Sequence, residues 1–197
     1  ACEKESGETA IQKAATPVPV MKKSMAAPAT VAYVMQEKYE NAVPLYRQER
    51  FWKSKGVELN RNTLANWVVR SSKWFEPMCE YLRNTLLQGD IVHADETEFQ
   101  VLKEDGRTAV QKSRMWVFCS GKSEEKQLAL YRYAPSRSGK VASEMLNEFT
   151  GYLQTDGYQG YNAVESVTHV GCWAHARRKW ADCLPKNVQT DGSKAAQ

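Results

Sequence analysis

Hydrophobic positions along this chain keep one spacing before Asp90 and another after it. Upstream, apolar residues recur at helical intervals. Val31, Val34 and Met35 predict a helix over residues 28–40, and Pro44 opens a second that carries Leu45, Phe51 and Trp52 until Gly56 ends it. A third helix is predicted from about Asn62, where Leu64, Trp67, Val68, Ser71 and Trp74 form one stripe turned toward a core. Pro77 either kinks that helix or starts a fourth, which continues through Met78, Tyr81, Leu82 and Leu86 to Gly89.

Beyond Asp90 the texture is that of strands. Residues 91–95 and 99–102 read as strand, Asp105-Gly106 as a turn, and residues 114–119 and 128–133 as two more strands. Ser138 is placed to cap a helix whose Val141, Met145 and Phe149 repeat every four residues, with Gly151 closing it. Residues 152–155 form a short strand ending at Asp156, residues 167–172 a fifth, and a basic helix follows from about Ala174 to Leu184. The order β-β-β-α-β-α-β-α predicts an α/β fold. Three antiparallel strands precede parallel ones joined by helices, giving a mixed β-sheet flanked by helices behind an N-terminal helical region. Residues 1–27, rich in Ala, Lys, Glu and Pro and without apolar periodicity, read as a flexible linker. Residues 28–90 are the helical region, 91–184 the sheet domain and 185–197 a tail.

Composition narrows the class. With 42% hydrophobic and 25% charged residues, the chain is an ordinary globular sequence, neither collagen-like nor disordered throughout. The longest apolar run, Met115 to Cys119, is far short of the ~18–20 residues that cross a bilayer. Cys2, Cys79, Cys119, Cys172 and Cys183 are odd in number and scattered, which fits a reduced compartment, and the expected location is cytoplasmic. The net charge is +4, with residues 44–90 and 166–197 basic around an acidic stretch, 91–165. Basic flanks around a carboxylate centre suit a protein that holds a polyanion beside a divalent cation; mixed solvated faces are the plainer alternative.

The carboxylates that matter are Asp95, at the end of the first apolar strand, and Asp156, at the end of the fourth. If those strands are parallel neighbours, as the ribonuclease H-like arrangement requires, the two side chains converge on one edge of the sheet. Hard oxygen ligands so placed suit Mg²⁺ or Mn²⁺, and a pair of such ions supports phosphodiester cleavage and transfer.

The words around these acids carry a resemblance. His93-Ala94-Asp95-Glu96-Thr97, Gln154-Thr155-Asp156-Gly157-Tyr158-Gln159-Gly160-Tyr161 and Gly171-Cys172-Trp173-Ala174-His175-Ala176-Arg177-Arg178-Lys179 resemble the catalytic domain of bacterial insertion-sequence transposases of the sixty-six family. The likeness extends to Pro44-Leu45-Tyr46-Arg47-Gln48-Glu49, Gly56-Val57-Glu58-Leu59, Thr63-Leu64-Ala65-Asn66-Trp67 and Pro135-Ser136-Arg137-Ser138-Gly139, and covers roughly residues 20–184. It implies a DDE transposase with a ribonuclease H-like core and two divalent metals, cutting and joining DNA at transposon ends. Asp95 and Asp156 stand at its first and second catalytic acids. The third acid of the family is a Glu on a downstream helix rich in Asn and Arg nearby, whereas here no Glu follows Glu165. The expectation is therefore an incomplete core, in the interior of a transposase, with Ala1-Cys2-Glu3 as the remnant of a lost zinc-binding module. Transposon ends and target DNA are the expected partners, with a homo-oligomer and helper proteins in the intact system. The rival readings are a DNA-binding remnant that cuts nothing and a nuclease or resolvase sharing only the core.

Smaller signals keep their alternatives. Residues 44–75 read as a helix-turn-helix, with Arg61, Asn62, Thr63 and Asn66 reaching DNA, or as a plain helical hairpin. Arg137, ahead of a helix N-terminus, is a candidate phosphate contact, or Ser136 to Gly139 is only a cap. His175, Arg177, Arg178 and Lys179 meet phosphates near the acids, or form a solvated basic face. Cys172-x-x-His175 has the spacing of half a zinc site but lacks a clear fourth ligand. Trp173 and Trp180, seven apart, are expected in a core, and Tyr158 and Tyr161 are expected to pack rather than act as nucleophiles.

Overall fold

The computed structural model describes residues 2–3, 9–10, 14 and 18–183. Two compact units divide the chain, Ala1–Glu76 and Pro77–Gln197. The tail, the last residue of the expected basic helix (Leu184) and much of the expected linker lie outside the described residues.

Beyond a short antiparallel pairing of Cys2–Glu3 with Thr9–Ala10, the first unit is helical: α1 (Pro28–Tyr39), α2 (Leu45–Ser54) and α3 (Arg61–Ser71), followed by a 3₁₀ turn at Ser72–Phe75. Its core gathers Val31 and Val34 from α1 with Leu59 and with Leu64, Trp67 and Val68 from α3. The stripe read from the sequence is therefore buried as far as Ser71, while Trp74 is exposed. Met21 and Ala26 belong to the same core, which corrects the linker expectation for that stretch. Apolar periodicity cannot reveal them, because they pack from an irregular segment. Gln48 is buried on α2 and donates from Nε2 to the carbonyls of Val34 and Val43 at 3.2 and 3.1 Å, tying α2 to α1. Gly56, at φ +78°, makes the turn after α2. Asn60 then caps α3, its Oδ1 accepting from Thr63 N at 2.8 Å.

In the second unit α4 (Glu76–Leu86) leads into β1 (Ile91–Gln100), β2 (Lys112–Ser120), β3 (Ala129–Ala134), α5 (Gly139–Met145), β4 (Tyr152–Thr155), a 3₁₀ turn (Gln159–Ala163), β5 (Thr168–Gly171) and α6 (Trp173–Asp182). The five strands stand in the order β3-β2-β1-β4-β5. β1, β2 and β3 pair antiparallel, and β1-β4-β5 pair parallel. This is the mixed sheet and the ribonuclease H-like arrangement read from the sequence. The two expected strand pieces at 91–95 and 99–102 are one continuous strand, because β2 pairs with it along its length through Gln100↔Lys112.

One face of the sheet carries the core. Val92 and Ala94 of β1, Trp116 and Phe118 of β2 and Leu153 of β4 alternate inward and meet Leu86 of α4, Ala142 and Met145 of α5, Leu146 and Phe149. α4 thus packs into the sheet unit, although helical periodicity grouped it with the residues before it. Arg83 fixes this contact by donating from Nε to Met145 O at 2.8 Å and from Nη2 to Asn147 O at 3.1 Å, so that carbonyls left over at the end of α5 find a donor. α5 is shorter than expected. It stops at Met145 with Leu146 as its C-cap, and Glu148 takes φ +77°, yet Phe149 remains buried. Gly139, at the start of α5, lies against the Gly160 carbonyl so closely that a Cβ would collide with it. That approach sets α5 beside the 3₁₀ turn after β4.

Phe118→Ala is expected to cost about 3–5 kcal/mol through loss of a fully buried ring, and Gly139→Ala about 1–3 kcal/mol through overpacking. Urea unfolding should report both as lowered midpoints. Tyr131→Ala, at an exposed position of β3, should stay within about 0.5 kcal/mol of the wild type.

Candidate active site

Register alone brings the two aspartates together. β1 and β4 pair parallel with Val92 opposite Leu153 and His93 opposite Gln154. Asp95 and Asp156 each lie two residues beyond the last of these pairs, and side chains alternate along a strand. Val92, Ala94 and Leu153 face the core, so His93, Asp95, Gln154 and Asp156 share the opposite face. There they line a cleft of ≈ 180 Å³ with Val117, Cys119, Cys172 and His175. That is smaller than the ~300–1,000 Å³ typical of organic-ligand pockets.

α6 supplies the third group. Cys172 N donates to Thr155 O at 2.9 Å, extending the β4–β5 pairing, and α6 starts at the next residue. The third residue of that helix is His175, whose Nε2 lies 3.9 Å from Asp95 Oδ2. Its Nδ1 is buried and has no hydrogen-bond partner among the described residues. One ligand atom from each of Asp95, Asp156 and His175 lies within 4.8 Å of the others. Asp95 is exposed and Asp156 partly buried, so the group is open on one side. Backbone amides orient both acids: Glu96 N donates to Asp95 Oδ1 at 2.9 Å and Tyr158 N to Asp156 Oδ1 at 2.8 Å. Gly157, at φ +84°, allows the turn that brings the Tyr158 amide back onto Asp156.

Behind this face sits a residue that the sequence reading did not single out. Glu96 follows Asp95 and by alternation points to the core side, and its side chain is fully buried. Its Oε1 accepts from Arg137 Nε at 2.5 Å and also pairs with Arg137 Nη2. Its Oε2 accepts from the Tyr161 hydroxyl at 2.5 Å. Burial, with the Glu96 carboxylate next, pushes the Tyr161 phenol well above the ordinary tyrosine range. Tyr161 is packed edge-on against Trp116, and a buried phenol held protonated fits the packing role expected for it. Arg137 also lies over the Tyr158 ring, with Cζ 3.8 Å from the centroid. The only signal for Glu96 was a charge at an apolar-face position of β1, which has meaning once the strand's facing is known.

The remaining sequence-predicted residues fall in two places. In the helical unit Arg61, Asn62 and Asn66 are exposed along α3, whereas Thr63 is engaged by the cap, its Oγ1 donating to Asn60 Oδ1 at 3.0 Å. On α6, Arg177, Arg178 and Lys179 are exposed on the helix that carries His175. Cys172 and His175 both line the cleft, but the ligand group around His175 consists of the two aspartates rather than a second cysteine. Trp173 and Trp180 do not enter a core as expected; they are 85% and 80% exposed. A seven-residue spacing fixes a shared helix side but not what that side meets. Of the acids after Glu165, Asp182 is exposed at the end of α6, and Asp191 is outside the described residues.

Residues 23–197 match the family model described as Transposase IS66 family. Uncharacterized protein y4jD of Sinorhizobium fredii (strain NBRC 101917 / NGR234) is 30% identical over 192 residues, covering 90% of this chain and 37% of the relative. Uncharacterized protein y4qI of the same organism is 27% identical over 190 residues, covering 89% and 35%. The chain thus spans 35–37% of the length of these curated relatives. Among solved structures, the Mos1 transposase paired-end complex with left transposon end is similar at 11% identity with a TM-score of 0.30, covering 88% of this chain and 66% of that one. The family match takes in both aspartates, the strands that join them and the helix of His175, and by it this chain belongs to the IS66 family of transposases.

Proposed function

We propose that this chain carries part of the catalytic core with which a transposase cuts and joins DNA at transposon ends, with Asp95 and Asp156 holding Mg²⁺ or Mn²⁺. The observation that supports this most directly is the convergence of two carboxylates and an imidazole, within 4.8 Å of one another, on an open sheet face. The donor set fits the ion: carboxylate oxygens suit Mg²⁺ and Mn²⁺, and an adjacent imidazole is tolerated better by Mn²⁺. When bound, the cation supplies Lewis-acid activation of the attacking and leaving oxygens of a phosphodiester.

The protein's own groups do the positioning. The amides of Glu96 and Tyr158 occupy one oxygen of each aspartate, and the other oxygen faces a basic group, Asp95 Oδ2 the His175 imidazole and Asp156 Oδ2 the Arg137 guanidinium. Exposure of Asp95 lets a backbone phosphate approach from solvent. Arg178 and Lys179, on the same helix as His175, offer positive charge to neighbouring phosphates. In the helical unit Arg61, Asn62 and Asn66 offer a polar exposed face for DNA. Transposon-end and target DNA are the proposed partners, the cytoplasm the proposed place of action, and a homo-oligomer with helper proteins the proposed assembly.

Among the described residues no helix is long and apolar enough to cross a membrane.

Because Asp95 and Asp156 repel each other without a cation, millimolar Mn²⁺ or Mg²⁺ should raise the melting temperature of the wild-type chain but not of Asp95→Asn or Asp156→Asn. An unchanged wild-type melting point would defeat the metal reading. Strand nicking of terminal-repeat DNA in Mn²⁺ is the catalytic test. Equal behaviour of wild type and Asp95→Asn would leave a DNA-binding protein that does not cut, and absence of any preference for terminal repeats would favour a general nuclease or resolvase.

DNA affinity should fall steeply between about 50 and 200 mM salt, with the combined Arg178→Ala and Lys179→Ala variant showing a shallower slope of log Kd against log salt by about one to two. Fluorescence anisotropy with a labelled duplex reads both quantities. Identical slopes for the two proteins would remove these side chains from the interface.

A further inference from the structure

We propose that Arg137 is a tethered counter-charge for Asp156, held at its distance by the buried carboxylate of Glu96, so that it balances the acid before a metal arrives and yields it to the metal afterwards. This rests on the metal-binding reading above and concerns how that site is positioned.

The Glu96 side chain is fully buried. An ionised carboxylate without solvent exposure is strongly disfavoured unless paired and hydrogen-bonded. Both of its oxygens are satisfied, Oε1 by the Arg137 guanidinium and Oε2 by the Tyr161 hydroxyl. Arg137 in turn is fixed from three further directions. Its guanidinium stacks on the Tyr158 ring, its carbonyl accepts from the Tyr158 hydroxyl at 2.7 Å, and the close approach of Gly139 to Gly160 fixes the backbone just after it. Glu96 and Asp156 both favour the protonated guanidinium, outweighing the opposing effect of burial.

Against this, the contact with Asp156 is loose. Arg137 Nη2 stands 3.7 Å from Asp156 Oδ2, beyond hydrogen-bonding distance but close enough for Coulomb attraction. The Tyr158 amide engages Asp156 Oδ1, and Arg137 faces the other oxygen, Oδ2. Each acid of the pair therefore faces one basic group at nearly the same range, Asp95 the His175 imidazole at 3.9 Å and Asp156 the Arg137 guanidinium at 3.7 Å. An arginine meant to bind Asp156 would close onto it in a fork. Here Nε and Nη2 both turn to Glu96 Oε1 instead, and Glu96 keeps Arg137 short of capturing Asp156.

Two variants separate positioning from mere structural support. Glu96→Gln removes the tether's charge and leaves Arg137 free to close on Asp156, so Mn²⁺ should bind more weakly. Glu96→Gln with Arg137→Gln removes both charges of the pair, leaves no unpaired buried carboxylate, and takes the positive end away from the metal, so Mn²⁺ should bind more tightly. Each change should be about three- to tenfold in Kd, modest because the cleft is open to water. Calorimetric Mn²⁺ titration of the full chain at constant ionic strength reads the affinity, and melting in EDTA reads stability. Opposite shifts in Kd support the tether, whatever the melting temperatures do. Affinities within twofold of wild type, or a weakening in both variants, overturn it and leave a structural ion pair. Should the double variant fail to fold, Glu96→Gln alone decides, since unchanged or tighter binding overturns the proposal. A wild-type chain that binds no Mn²⁺ overturns both this and the metal reading, whereas wild-type binding lost in Asp95→Asn, with the Glu96 variants unaltered, overturns the tether alone.

Discussion

Parallel pairing of β1 with β4 is the constraint on which the site depends. With His93 opposite Gln154, the residues two further along each strand must project to the same face, and they are Asp95 and Asp156. A slip of one residue in either strand would turn one carboxylate toward the face that Val92, Ala94 and Leu153 occupy. The hydrophobic face thus fixes the position of the polar one. Val92, Ala94, Trp116, Phe118 and Leu153 leave water on one side only in this register, and burial of that surface holds two like charges close together against their repulsion.

The same alternation explains why the sequence places Asp95 and Glu96 side by side. Adjacent residues on a strand face opposite ways, so one acid belongs to the open face and the other to the buried one. Their environments diverge accordingly. Asp95 is exposed and near an imidazole, while Glu96 is enclosed with a guanidinium and a phenol. Arg137 and Tyr158 then connect the buried acid to the turn that presents Asp156. The three motifs around residues 95, 137 and 158 are parts of one electrostatic assembly across the end of the sheet.

The basic flanks acquire different meanings in the two units. On α6, basic charge and an exposed tryptophan pair lie on the helix that also carries His175. In the helical unit the polar face of α3 is built on a cap by Asn60 and a core of Leu64, Trp67 and Val68, so its exposed side chains stand on an ordered helix. Both the helix-turn-helix and the helical-hairpin readings are compatible with that arrangement, because the geometry of two short helices around a glycine turn serves either.

Local chemistry was legible in the chain itself. Helical spacing located α1, α2 and α3, alternation and turn residues located the strands, and the words around Asp95, Asp156 and His175 identified the family. These features depend on neighbours a few residues apart, and spacing records them directly. What only the tertiary structure decided were contacts between distant segments. Met21 and Ala26 entered a core from an irregular stretch, α4 joined the sheet, Trp173 and Trp180 stayed in solvent, and Glu96 found Arg137 and Tyr161. A periodic pattern says which side of an element is apolar, whereas the surface that meets that side is set by chain packing, and the value of a buried charge is set by the partners that packing delivers.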